Sequence, residues 1–445
     1  MTEPCNPLYS LPWQADISQR FTRIQHAPGA VLLDSNQPEP DGLARFDIVS
    51  AWPLQQISPQ TGESGADFLQ RARQLLQQLP AVKALPDELP FAGGLLGYLG
   101  YHFGHQNDRH ARSLPDAGIG LYDWALINDH QQQQSWLFCH PSMTAERQQQ
   151  VLQLFAEDAE TTQSSPPFSL LADFAPLRNR EHYRQAIEQI QHAIERGAIQ
   201  QVNYTQRFSS RYQGGLWPAY QALRQQCPVP YAAFIRLDND NAILSLSPER
   251  FIGARDGQVE ARPIKGTRRR GHTEAEDRAL AAELLASDKD RNENLMIVEL
   301  QKGELAPLCH DLHCPQLAAL ESYPNVHHLV SCIRGTLNSG SDALDLLQHC
   351  FPGASISGTP KQPVLEMIDQ LEASSREIYC GSIFYLDSRG RFDSSVCIRT
   401  LLAMHGDIHC WGGGGITLAS DWQAEYQESV DKVSVLMQTL QTLRS

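Results

Sequence analysis

Apolar positions along the chain follow two periods. Between residues 181 and 196, Tyr183, Ile187, Ile190 and Ile194 recur at three- and four-residue spacing on one helical face, and Gly197 supplies a stop. After Gly271, Thr273 and Glu276 have the spacing of a capping box and open a second helix. Short apolar runs predict strands at residues 30–33, 120–127, 202–208, 232–237, 242–247, 381–386, 396–403 and 408–411. A glycine-punctuated apolar stretch occupies 91–100. Strands and helices alternate without a regular βαβ beat, which favours a large α+β unit over a Rossmann or barrel fold. The polar run 157–167, ending in Pro166-Pro167, reads as an exposed connector between an N-terminal region (1–165) and a catalytic region (178–440).

Charge narrows the classes of partner. With 36 Lys+Arg against 51 Asp+Glu, the 445 residues carry a formal charge of −15. A phosphate backbone or anionic membrane surface would be repelled on average, so neither nucleic acid nor membrane is expected as a partner. The N-terminus lacks the basic flank and apolar run of a signal peptide, and no stretch approaches the ~20 apolar residues that span a bilayer. Ten scattered cysteines read as free thiols in a reducing cytoplasm. Cys309-His310-Asp311-Leu312-His313-Cys314 packs its soft ligands too closely for one tetrahedral ion and reads as a loop. No dinucleotide or P-loop spacing occurs.

Four segments place charge or glycine in unusual surroundings. If residues 259–267 are extended, Lys265 shares a face with Val259, Ala261 and Pro263. It then either snorkels to solvent or loses its proton and becomes a nucleophile. Glu249, on a face with Ser245 and Ser247, is a general acid or the partner of an arginine such as Arg250. Asp290 with Glu293, and Glu425 with Glu428, are i, i+3 pairs that either hold a hard divalent cation or lie on solvated helix faces. Gly412 to Gly415 is either a glycine loop that brings N–H groups to an anion or a flexible turn. Arg399, on a strand face with Ser395 and Cys397, suits a carboxylate.

Together these segments resemble the chorismate-utilising enzymes, from about Ala30 to the C-terminal helix. The resemblance rests on the runs Gln201 to Phe208, Ser247 to Phe251, Pro263 to Thr267, Lys289 to Asn294 and Ala424 to Glu428. Upstream it includes Arg45 to Ile48 and Tyr122 to Ile127. Relatives that make anthranilate carry alanine where Lys265 stands. Those that make isochorismate or salicylate carry a lysine base where Gln201 stands. Gln201 with Lys265 therefore resembles the branch that forms 4-amino-4-deoxychorismate.

The resemblance implies a sandwich of two large antiparallel sheets with helices packed outside. It also implies Mg²⁺ held by Glu293 and Glu428, with Asp290 and Glu425 in support. By the same resemblance, Lys265 is expected to attack ring carbon 2 of chorismate while Glu249 protonates the departing 4-hydroxyl, and ammonia is then expected to replace the lysine in an amino-transfer of transaminase class. Gly266, Thr267, Tyr379, Arg399, Gly413, Gly415 and Lys432 match positions that hold the substrate's carboxylates. No Gly-x-Cys-x-Gly turn is present, so a separate glutamine amidotransferase subunit is implied as the ammonia source, in the 4-aminobenzoate and folate route. Ser35, Arg45, Phe46, Pro230, Tyr231 and Ala232 match the walls of a pocket that holds tryptophan in relatives, although Leu43 and Ala44 depart from it.

Other departures lie at residues 299–307, at 352–361 and at Pro363, where an arginine is usual. They spare the catalytic groups but touch partner docking and ammonia delivery. The alternatives are an anthranilate synthase component I and a catalytically impaired chorismate-binding paralogue.

Overall fold

The computed structural model describes residues 7–36, 45–82, 85–104, 109–156, 165–238, 240–323 and 326–444. Two antiparallel sheets face each other, thirteen strands in one and ten in the other among the described residues. The larger runs from the edge strand Leu8–Leu11 through Gln134–Cys139, Trp124–Asp129, Phe46–Ser50 and Val31–Asp34. It continues through Tyr231–Arg236, Ala242–Ser247, Thr400–Met404 and Asp407–Ile416 to Gln201–Gln213. The smaller includes Ile264–Arg269, Val326–Leu337, Gln258–Ala261, Arg250–Arg255, Phe392–Val396, Ser382–Asp387, Gly94–Leu99 and Ala117–Tyr122. Strands from both sides of residue 165 thus enter both sheets; residues 157–164 of the expected connector lie outside the described residues.

Strand alternation separates two apolar cores. Val31, Ile48 and Ile243 face the core between the sheets, while their neighbours Leu32, Val49 and Leu244 face a second core with Phe21, Trp217, Tyr220 and Leu436. The second core lies under outer helices, including Leu216–Gln226 and Trp422–Gln441. The α+β sandwich expected from the resemblance is the fold observed. The periodic helix is Arg180–Glu195, capped by Asn179 accepting from the His182 N–H at 3.0 Å. Helix Glu274–Ala286 follows its Thr273 cap as the sequence indicates. Among the described residues no helix is long and apolar enough to cross a membrane.

Two apolar runs that look continuous are broken, and the second break reaches the cavity described below. Residues 120–127 divide at Asp123, with Ala117–Tyr122 in the smaller sheet and Trp124–Asp129 in the larger. Residues 396–403 divide likewise between Phe392–Val396 and Thr400–Met404, so Arg399 does not share a strand face with Ser395 and Cys397. It sits in the crossing between sheets, at φ 50°. A third crossing, Pro248-Glu249, lies beside it. Val396 N–H donates to the Glu249 carbonyl at 3.1 Å, and Leu246 N–H to the Arg399 carbonyl at 3.0 Å. Ser245 and Ser247 do not open space beside Glu249; both are buried, bonded to Thr400 and to the Val396 carbonyl. Residues 309–314 form part of strand Cys309–Ser322 rather than a loop.

The four glycines are also not a loop. Gly412 to Gly415 belong to strand Asp407–Ile416, paired in register with Gln206, Thr205, Tyr204 and Asn203. They are needed for contact: a Cβ on Gly412 would lie 1.9 Å from the Ser429 carbonyl of helix Trp422–Gln441. That helix therefore presses on the strand backbone. Gly412→Ala should destabilise the protein by about 2–3 kcal/mol in chemical denaturation and reduce any activity that depends on the helix. An unchanged unfolding curve would show that the close approach does not matter.

Candidate active site

Every catalytic, metal and substrate residue named from the sequence lines one cavity of ≈ 590 Å³: Glu249, Lys265, Gly266, Thr267, Asp290, Glu293, Tyr379, Arg399, Gly413, Gly415, Glu425, Glu428 and Lys432. Glu249 and Arg399 come from the two adjacent crossings. Lys265 comes from strand Ile264–Arg269, which is separate from Gln258–Ala261 and bulges at Gly266 (φ +87°). The bulge and the break at Pro263, not simple alternation from Val259, aim the lysine. Helices Asp288–Leu305 and Trp422–Gln441 each turn an acidic pair inward.

Glu249 and Lys265 are shifted in opposite directions. Burial pushes the Glu249 carboxyl up to about 7, although Lys265, a hydrogen bond from Ser355 (Oγ to Oε1, 3.3 Å) and Lys432 act against it. Arg250, the alternative partner, turns the other way and pairs with Asp393 (2.7 Å) and Glu260 (2.9 Å). Lys265 is depressed below its ordinary value by burial first and then by the Lys432 charge; Glu293, Glu249 and Glu428 oppose this. A proton-bearing carboxyl and a more readily deprotonated amine thus face the same space, the combination needed for an acid and a nucleophile near neutral pH.

Cationic and neutral donors complete the wall. Arg399 is depressed only by burial and forms no ion pair among the described residues, so its guanidinium is available to an anion. Lys432 donates to the Gly413 carbonyl at 2.8 Å and to Glu428 Oε1 at 2.7 Å. His328, pushed down to about 4 by burial and by Arg399, is neutral and bonds to Thr267 at 2.8 Å. Tyr379 stacks on Trp411 at 6.1 Å.

The acids suit a hard cation by donor type. Glu425 Oε2 and Glu428 Oε1 both overhang Gly414, where a Cβ would lie 3.2 and 3.4 Å from them. The Glu425 carboxyl is raised by burial despite a 2.8 Å bond from Ser420, and the neighbouring Glu428 charge adds to the rise. Asp290 is 3.3 Å from Arg268 and Glu293 is 4.0 Å from Lys289. As these side chains stand, lysine and arginine supply the counter-charge, and no three described His, Cys, Asp or Glu residues form a ready ligand group. The all-oxygen, net-anionic donor set nonetheless fits Mg²⁺.

Some cavity residues were not singled out in the sequence. Asn203, Lys289 and Ser355 lay inside the segments compared with the family but without a role, whereas His328 carries no local signal. A second cavity of ≈ 180 Å³ between the sheets gathers Ser35, Arg45, Phe46, Pro230, Tyr231 and Ala232, with Arg250 and Asp393 also on its wall. Leu43 and Ala44 lie outside the described residues.

Comparison with known proteins gives a family model for chorismate binding enzymes matching residues 30–438. The chain is 39% identical to aminodeoxychorismate synthase component 1 of Klebsiella aerogenes, covering 98% of this chain and 99% of that protein. It is 38% identical to the Escherichia coli (strain K12) protein of the same name, covering 97% and 98%. Among solved structures, anthranilate synthase component I of Streptococcus pneumoniae TIGR4 superposes with a TM-score of 0.77 at 26% identity, covering 88% of this chain and 92% of that one. MenF, the menaquinone-specific isochorismate synthase of Escherichia coli, shares the fold at TM-score 0.77 and 20% identity, covering 98% and 94%.

The raised carboxyl has a consequence for stability. Glu249 titrates at about 7 when folded against 4.5 ordinarily, so the folded chain keeps a proton that the unfolded chain releases. That contribution is complete below pH 4.5 and is lost as pH rises through about 7. Glu249→Gln should therefore gain stability relative to wild type as pH rises over this window, by about 3 kcal/mol in total. Parallel stability–pH curves for the two proteins would contradict the assignment.

Proposed function

The chain belongs to the family of chorismate-binding enzymes, and on that premise we propose that it converts chorismate and ammonia to 4-amino-4-deoxychorismate. The carrying observation is the pairing of a buried, proton-holding Glu249 with a depressed Lys265 across a cavity that also holds the unpaired Arg399. The relatives of highest identity quoted above share the name that describes this product.

The chain's own groups divide the work. Arg399 binds a substrate carboxylate, and Thr267, Tyr379, Lys432 and the backbone at Gly266, Gly413 and Gly415 shape the space around it. Neutral Lys265 Nζ forms a bond to ring carbon 2; the two conjugated ring double bonds each shift by one position, and the 4-hydroxyl leaves as water with the Glu249 proton. Ammonia then bonds to carbon 4, the electron pair returns through the ring, and Lys265 departs as the free amine. Glu249 recovers a proton from the incoming ammonium. Two displacements through a covalent lysine replace one direct displacement of a poor leaving group. Glu293 and Glu428, with Asp290 and Glu425 behind them, would hold Mg²⁺, whose charge when bound offsets that of the ring carboxylate.

Ammonia comes, on this reading, from a glutamine amidotransferase subunit, consistent with the "component 1" in the relatives' names. The reaction is an amino-group transfer serving 4-aminobenzoate and folate formation in the cytoplasm. The smaller inter-sheet cavity takes a tryptophan-like amino acid.

Incubation with chorismate, Mg²⁺ and an ammonium salt at alkaline pH should yield 4-amino-4-deoxychorismate; anthranilate, or unchanged chorismate under every condition, would overturn the proposal. Lys265→Ala should lose most of this product and leak some anthranilate. Intact-mass analysis of wild type with chorismate but no ammonia should show an adduct that Lys265→Ala lacks, and undiminished product from the variant would refute the covalent route. Glu428→Gln should abolish activity with the fold intact, and wild-type turnover at low Mg²⁺ would remove it from the ligand set.

A further inference from the structure

Arg376 does not line the active-site cavity, yet three parts of the cavity wall are fastened to it. It is 1% exposed. Its Nε and Nη2 donate to Glu372 at 2.9 and 2.7 Å, which fixes the plane of the guanidinium. The remaining donors reach backbone: Nη1 to the Ile356 carbonyl at 2.9 Å, and Nη2 to the Asn203 carbonyl at 2.5 Å. Its own carbonyl accepts the Tyr379 N–H at 2.8 Å. Tyr101 covers the outer face of the guanidinium at 4.6 Å. Asn203, Ile356 and Tyr379 all line the cavity.

The Ile356 bond matters most for chemistry. Residues 354–356 form a single 3₁₀ turn, too short to hold its own geometry. Ser355, on that turn, donates a hydrogen bond to the Glu249 carboxylate at 3.3 Å. We infer that Arg376 is a positioning residue for the catalytic acid: by holding the Ile356 and Asn203 carbonyls it keeps the Ser355 hydroxyl against Glu249. The inference rests on the reading of Glu249 as proton donor. The charged groups acting on Glu249 are Lys265 from its strand and Lys432 from the C-terminal helix, and neither touches Arg376. Loosening the turn therefore removes one donor to the carboxylate and leaves the charges in place.

The test follows the Glu249 carboxyl by infrared difference titration, its band identified by loss in Glu249→Gln. Arg376→Lys and Ser355→Ala should each raise the midpoint by about half a unit to one unit, because a donor to the ionised form is lost. The double variant should shift it no further. Each should lower kcat roughly tenfold, and Ser355→Ala should keep the wild-type Tm. Where Arg376→Lys does not fold, Glu372→Gln, which keeps the guanidinium but unseats it, carries that arm. An unmoved midpoint in Ser355→Ala, or in the folded Arg376 or Glu372 variant, overturns the inference. Wild-type turnover in Glu249→Gln instead overturns the assignment of the acid itself, so the two failures are distinguishable.

Discussion

The site depends on how closely two helices approach the sheets. A side chain at Gly412 would meet the Ser429 carbonyl, and one at Gly266 would meet the Asp290 Cβ at 2.9 Å. With ordinary residues at these positions the helices would stand off by a side chain's thickness, and the acidic pairs would not overlook the cavity with Lys265 and Lys432. Glycine weakens a strand locally. Here that cost is offset by a continuous ladder with strand Gln201–Gln213, which runs from Val202 to Arg211 through all four glycines.

The second determinant is the crossing of chain between sheets. A strand that stays in one sheet alternates its side chains between two fixed environments. At Pro248-Glu249 and Cys397–Arg399 the alternation is interrupted, so a carboxyl and a guanidinium can enter the space between layers without displacing core residues. Burial there raises Glu249 and depresses Lys265, while Lys432 bears on both. The same crossing sends adjacent Arg250 into the other cavity, where Asp393 and Glu260 neutralise it.

Much of this was legible in the sequence, for unequal reasons. Helix Arg180–Glu195 followed from period alone, and the interspersed strands indicated α+β; the sandwich itself came from resemblance. The residues now gathered in the cavity were likewise assembled by motif, since no local pattern places Lys265 beside Glu249. Local reasoning failed where chain direction changes. Residues 120–127 and 396–403 are mostly apolar, and the single charged residue in each, Asp123 and Arg399, stands where the chain changes sheet but is as compatible with one continuous strand as with a break. The glycine run misled because a strand pressed by a helix and a flexible loop require the same residue. His328 is silent in the sequence because its neutrality comes from burial and from Arg399, 71 residues further along the chain.

The ladders of both sheets also have a history. Strand Val31–Asp34 finds a partner in Tyr231–Arg236, pairing Asp34 with Ala232, and Gly94–Leu99 finds one in Ser382–Asp387, pairing Leu99 with Ser382. The N-terminal segments are therefore synthesised two or three hundred residues ahead of the strands that pair with them. Such topology folds slowly and late. Throughout that interval the early strands lack the neighbours that close their edges, so the order of synthesis and the order of assembly run apart.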